Sequence, residues 1–86
     1  MSIKVEVISR HGCHLCEIAE SVVREVRKEV DFELLVNYVD EDDLLNQDYG
    51  EEVPVTLING QRHDYFKVDK ERFIEALIKA QNNGAY

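Results

Sequence analysis

The stretch from Ser9 to Glu17 reads SRHGCHLCE. It holds both cysteines of the chain, Cys13 and Cys16, and two of its three histidines, His11 and His14. What flanks it decides the fold. Upstream, Ile3, Val5 and Val7 alternate with Lys4 and Glu6, and Ile8 follows, which is the pattern of a β-branched strand. Ser9 to Gly12 reads as a polar turn. Downstream, Leu15, Ile18, Ala19, Val22, Val23, Val26 and Val30 recur at steps of three and four, with charged residues between them. That period predicts an amphipathic helix from about Cys13 to Val30. The cysteine pair therefore stands where a strand ends and a helix begins.

That position has chemical consequences. The first N–H groups of a helix lack intrahelical acceptors, and the helix dipole is positive there. A thiolate at Cys13 is stabilised by both, which makes Cys13 the expected attacking sulfur. Cys16 falls nearly one turn later on the same face, with Cα atoms roughly 5–6 Å apart, a span that a disulfide tolerates. A mixed disulfide at Cys13 is then open to resolution by Cys16. Arg10 and His14 are candidate charge partners for the thiolate and its substrate. His14 reads equally well as a solvent-facing residue of the first turn, and so does His11. Two other uses of the pair stay open. A metal site of Cys13, Cys16, His11 and His14 has suitable ligand types, but four ligands from one tight turn crowd a tetrahedral centre, and His63 is the only distant histidine. Inert packing is the third use. No metal is expected.

The remaining period changes complete the order of elements. FELLVNYV, from Phe32 to Val39, predicts a second strand. The acidic run Asp40–Asp43 suits the start of a short helix, and Gly50 its end. VPVTLINGQRHDYF predicts two strands around an Asn59-Gly60 turn, since both residues tolerate positive φ. Asp69 is placed to cap a last helix in which Phe73, Ile74, Leu77 and Ile78 share a face, with a polar tail over about 81–86. The fold class is α/β with the order β-α-β-α-β-β-α, a four-stranded mixed sheet. The helix between the first two strands implies a parallel crossover, and the Asn-Gly turn an antiparallel hairpin. Pro54, between Val53 and Val55, is the only proline of the chain, and on its own reads as a trans proline at a strand entrance.

Composition narrows the function classes. The 86 residues suit a single domain over 1–86. The formal net charge of −8 is the wrong sign for a nucleic-acid binder or for docking on an anionic membrane. The N-terminus, MSIKVEVISR, has no basic stretch running into an apolar one, and no apolar window reaches spanning length. A cytoplasmic, monomeric protein is expected. In the cytosol a close cysteine pair reads as catalytic or metal-binding rather than as a staple.

Two motifs together, CHLC after the first strand and GEEVPV at Gly50–Val55, resemble the thioredoxin superfamily and the small glutaredoxin-like proteins in particular. The resemblance covers Ile3 to about Ala80. It implies a thioredoxin-like fold with helices on both faces of the sheet. It also implies a cis Pro54 beside the cysteine pair, a Val53 backbone that pairs with an extended thiol substrate, Cys13 as nucleophile and Cys16 as resolving thiol. The implied activity is thiol–disulfide exchange on a protein or small-molecule disulfide; no bound cofactor is expected, and glutathione and a reductase both stay open as the electron donor. Glutathione-using relatives carry Thr-Val-Pro and a Gly-Gly pair; here Glu52-Val53-Pro54 and QRHDYFKVDKERF stand in their place. A binding or redox-sensing module on the same scaffold, and a Cys13/Cys16 metal domain, are the alternative functions.

Overall fold

A computed structural model describes residues 3–83. The elements are β1 (Lys4–Ser9), α1 (His14–Arg27), β2 (Glu33–Tyr38), a 3-10 turn (Val39–Glu41), α2 (Asp43–Tyr49), β3 (Val55–Ile58), β4 (Gln61–Tyr65) and α3 (Lys70–Asn83). The sheet order is β2-β1-β3-β4. β1 pairs with β2 in parallel and with β3 antiparallel, and β3 pairs antiparallel with β4. Asn59 and Gly60 turn the hairpin with φ of 51° and 84°, the left-handed pair that such a tight turn requires.

Strand alternation divides the core between the two faces. Val5 and Val7 of β1 face α1 and α3, where Val23, Val26, Phe73 and Leu77 bury against them. Ile8 faces the other way and joins Val39, Val55 and Leu57, with Leu45 and Tyr49 of α2 packed alongside. The sheet is thus a wall with the long helices on one side and the short helix on the other.

Local differences from the sequence reading have physical causes. Seven apolar positions in α1 are more than one face can cover. Cys16, Ala19, Val23 and Val26 are buried, whereas Leu15 and Ile18 lie along the neighbouring strip at 51% and 47% exposure. α1 is also shorter than its period suggested, and Val30 packs against the core from the loop beyond it. α3 runs on to Asn83, so the polar residues 81–83 belong to it and not to a tail; 84–86 lie outside the described residues. Gly50 does end α2, but at φ −54°. A side chain there, not a left-handed bend, is the problem: an added Cβ would lie 2.5 Å from the Asn46 carbonyl oxygen. Among the described residues no helix is long and apolar enough to cross a membrane.

Phe73 is fully buried between Phe32 and His63, each ring centroid 5.9 Å away. Phe73→Ala should cost about 3–5 kcal/mol in urea unfolding. Leu44→Ala, at a position 72% exposed, should stay within about 0.5 kcal/mol of the parent.

Candidate active site

One end of the sheet collects the chemistry. Register places Ser9, the last residue of β1, beside Tyr38, the last of β2. Ile8 pairs with Val55 at the start of β3, which in turn pairs with Tyr65 at the end of β4. The Arg10–Cys16 segment, the Val53–Pro54 step and the 3-10 turn after β2 therefore emerge along the same edge.

The loop into α1 is a tight turn. The Cys13 N–H donates to the Arg10 carbonyl at 3.3 Å, and Gly12 takes φ +73°, as the third residue of a type II turn requires. Cys13 then leaves the turn in an extended conformation and occupies the N-cap of α1. Its sulfur accepts the Cys16 N–H at 3.2 Å, the place usually taken by a Ser, Thr or Asp oxygen. A thiolate at Cys13 therefore meets a backbone donor already aimed at it.

The two sulfurs are unequal. Both are free thiols; Cys13 is partly exposed and Cys16 is buried, at 1% exposure. Burial pushes the Cys16 thiol up to about 12, and its hydrogen bond with Cys13 adds to the rise. The Arg10 backbone and the Ser9 hydroxyl act in the opposite direction.

The other predicted residues are placed as follows. The Arg10 guanidinium is directed at α2, where Nη2 donates to Asn46 Oδ1 at 3.2 Å and to the Gly50 carbonyl at 3.0 Å. Arg10, Asn46, Gly50 and Glu52 thus line a polar cleft. His14 is turned to solvent, 83% exposed, with Nδ1 3.8 Å from Glu17 Oε2. Pro54 is buried and the Val53–Pro54 bond is cis. The Pro54 carbonyl accepts the Phe66 N–H at 2.8 Å. Val53, half-buried, packs against the cluster under α2.

His11 has a structural role that its sequence position did not show. Its ring stacks on Tyr38 at 3.9 Å, with the planes 12° apart. Nδ1 lies 2.6 Å from Asp40 Oδ2, Nε2 lies 3.3 Å from Glu41 Oε2, and the His11 N–H donates to Asp40 Oδ1 at 3.2 Å. The acidic run after β2 is thus shared: Asp42 caps α2 through the Leu44 and Leu45 amides, while Asp40 holds the cysteine loop. The bond to Asp40 is the main reason the imidazole is raised above its usual 6.5, and the Asp40 carboxyl is lowered from 3.8 chiefly by the same bond. The signal in the sequence was His11 and Asp40 at the ends of two strands predicted to be parallel neighbours.

These features define a glutaredoxin-like member of the thioredoxin superfamily, and comparison with known proteins agrees. The chain belongs to the family described as Glutaredoxin-like domain (DUF836), whose model matches residues 4–78. Uncharacterized proteins of Mycobacterium bovis and Mycobacterium tuberculosis are 30% identical over 74 residues, covering 80% of this chain and 76% of theirs. A solution structure from Nitrosomonas europaea superposes with a TM-score of 0.76 at 28% identity, covering 88% of this chain and 92% of that one. An X. campestris protein gives 0.73 at 26%, covering 88% and 97%. A thioredoxin of Halobacterium salinarum, at 19% identity and 0.69, covering 91% and 74%, shares the fold.

Two outcomes test this geometry. Limiting iodoacetamide should label Cys13 ahead of Cys16 in the folded, reduced protein, as read by peptide mass spectrometry; equal labelling would contradict the difference in access. The His11–Asp40 pair should be complete between the two ordinary values, 3.8 and 6.5. What His11 contributes to stability is present below 6.5 and is lost as pH rises through its raised folded value. What Asp40 contributes is present above 3.8 and is lost as pH falls through its lowered one. In an NMR titration, Asp40→Asn should move the His11 midpoint down.

Proposed function

We propose that this chain is a dithiol–disulfide oxidoreductase in which Cys13 attacks and Cys16 resolves. The observation that carries the reading is the asymmetry of the pair: an accessible sulfur at a helix N-cap with a backbone N–H on it, and a buried partner thiol one turn later. The Cys13 thiolate attacks one sulfur of a substrate disulfide. A bond forms between Cys13 Sγ and that sulfur, the substrate S–S bond breaks, and the other substrate sulfur departs as thiolate. Cys16 then loses its proton and attacks Cys13 Sγ. The Cys13–Cys16 disulfide forms and the second substrate thiol is released, so the substrate gains two electrons and the dithiol loses them. The sulfurs carry the electrons themselves, and no bound cofactor enters either step.

The substrate is read as an extended chain whose backbone lies against Val53 beside Pro54. Among the described residues Val53 engages its backbone in no turn or loop hydrogen bond, which favours a role in pairing. Arg10, at this end of the sheet, is already engaged with Asn46 and the Gly50 carbonyl, and the Arg62 guanidinium is paired with Glu52. Glutathione, with two carboxylates, is less well matched to such a surface than a protein disulfide, and a protein reductase is the proposed electron donor.

Cys13→Ser should abolish exchange with a model disulfide. Cys16→Ser should accumulate a mixed disulfide at Cys13, visible as an intact-mass adduct that reductant removes. A Cys16→Ser protein that traps nothing while the parent turns over would rule out the two-thiol route. Turnover should be faster with a thioredoxin-reductase system than with glutathione as donor.

A further inference from the structure

Phe66, the residue after β4, holds its backbone at φ +67°. That region is costly for a bulky side chain, whose Cβ crowds the following carbonyl. Among the described residues the other positive-φ positions are Gly12, Asn59 and Gly60, residue types suited to it. Burial does not offset the strain at Phe66, since the residue is 47% exposed. Its ring meets Tyr65, itself 46% exposed, edge to face at 5.0 Å. Two exposed aromatic rings on a strained backbone are an outlier of the kind that gathers at binding sites. The place of the pair fits that reading. The Phe66 N–H donates to the Pro54 carbonyl at 2.8 Å, and Tyr65 pairs with Val55. Along the reactive edge the order is the Cys13 turn after β1, Val53–Pro54 before β3 and Phe66 after β4. Neighbouring strands lie roughly 4.8 Å apart, so Phe66 stands about 10 Å from the line of β1, a span of about three extended residues.

We propose that Phe66, backed by Tyr65, is a specificity platform for an apolar side chain about three residues from the reacting cysteine of a protein substrate. The inference rests on the reading of Cys13 as nucleophile and of Val53 as the edge on which the substrate backbone pairs. A segment bonded through sulfur to Cys13 and paired on Val53 continues past Pro54 toward Phe66. Its main chain gives binding without selection, and a side chain laid on an aromatic face gives the selection. Charge is already matched at two places around the platform: Asp64 on β4 is paired with Arg72, and Glu52 in the loop before Pro54 with Arg62. A substrate with Leu, Ile or Phe at this position removes apolar surface from water against the ring. A segment with glycine there has nothing to lay on it. Phe66 stays apart from the sulfurs, so it selects among disulfides without entering the exchange step.

The probes are two synthetic peptides, each with a single cysteine held as a mixed disulfide with thionitrobenzoate. They are alike except for Leu or Gly at the second and third residues on either side of that cysteine. Cys13 Sγ bonds to the peptide sulfur, the peptide–thionitrobenzoate S–S bond breaks, and the coloured thionitrobenzoate thiolate leaves with the electron pair. Stopped-flow absorbance then gives a second-order rate constant for each peptide. The reduced parent protein should favour the Leu peptide by about tenfold, the scale of one apolar contact. Phe66→Gly takes the same φ without strain and keeps the backbone bond to Pro54, so it should fold as the parent does. In that variant the preference should fall to about twofold or less, as expected once the contact is lost. Phe66→Tyr, which keeps the ring, should retain it. Equal rates for the two peptides with the parent would overturn the inference. So would a preference that survives in Phe66→Gly, including one in which both peptides are slowed alike. Absence of thionitrobenzoate release from either peptide by the parent would instead remove the oxidoreductase reading on which the inference stands.

Discussion

The Cys16 amide donates to the Cys13 sulfur at 3.2 Å, and this bond ties the start of α1 to the chemistry of the pair. A helix N-terminus must find acceptors for its first N–H groups. Here the acceptor is the sulfur that is proposed to react, so one atom serves as both cap and nucleophile. The arrangement holds only if Cys13 is kept extended at the end of a tight turn. Gly12 at φ +73° makes that turn possible; any other residue there would hold a left-handed backbone at a cost of about 1–2 kcal/mol.

The turn is braced from both sides. On the β2 side, His11 stacks on Tyr38 and pairs with Asp40 and Glu41. On the β3 side, the Arg10 guanidinium is fastened to Asn46 and to the Gly50 carbonyl, where α2 ends. Cys16 faces inward, buried like Ala19, Val23 and Val26 of the same helix. The core face thus buries one thiol while the sheet edge exposes the other.

Local pattern revealed most of the fold. Alternation in Ile3–Ile8, the three-and-four period of α1 and the Asn59-Gly60 pair each report backbone geometry that neighbouring residues determine among themselves. The strand–cysteine–helix order carried the site for the same reason. What the sequence did not show depends on closure in space. His11 meets Asp40 only because β1 and β2 end in register, and Ser9 meets Glu20 only because α1 packs back on β1. Which of the seven apolar positions of α1 are buried is fixed by α3 and the sheet, so Leu15 and Ile18 could not be separated from Val23 by period alone. Arg10, expected beside the thiolate, is drawn to carbonyl and amide oxygens contributed by a helix far along the chain.

The central claim is that Cys13 and Cys16 act as one two-electron couple. Equilibrating the protein in thiol–disulfide buffers of graded potential, quenching with acid and weighing the species tests this directly. The account predicts one transition between dithiol and intramolecular disulfide, with a slope of about 30 mV per tenfold change in ratio. Independent capping of the two cysteines by the buffer thiol, with no intramolecular disulfide at any potential, would contradict it.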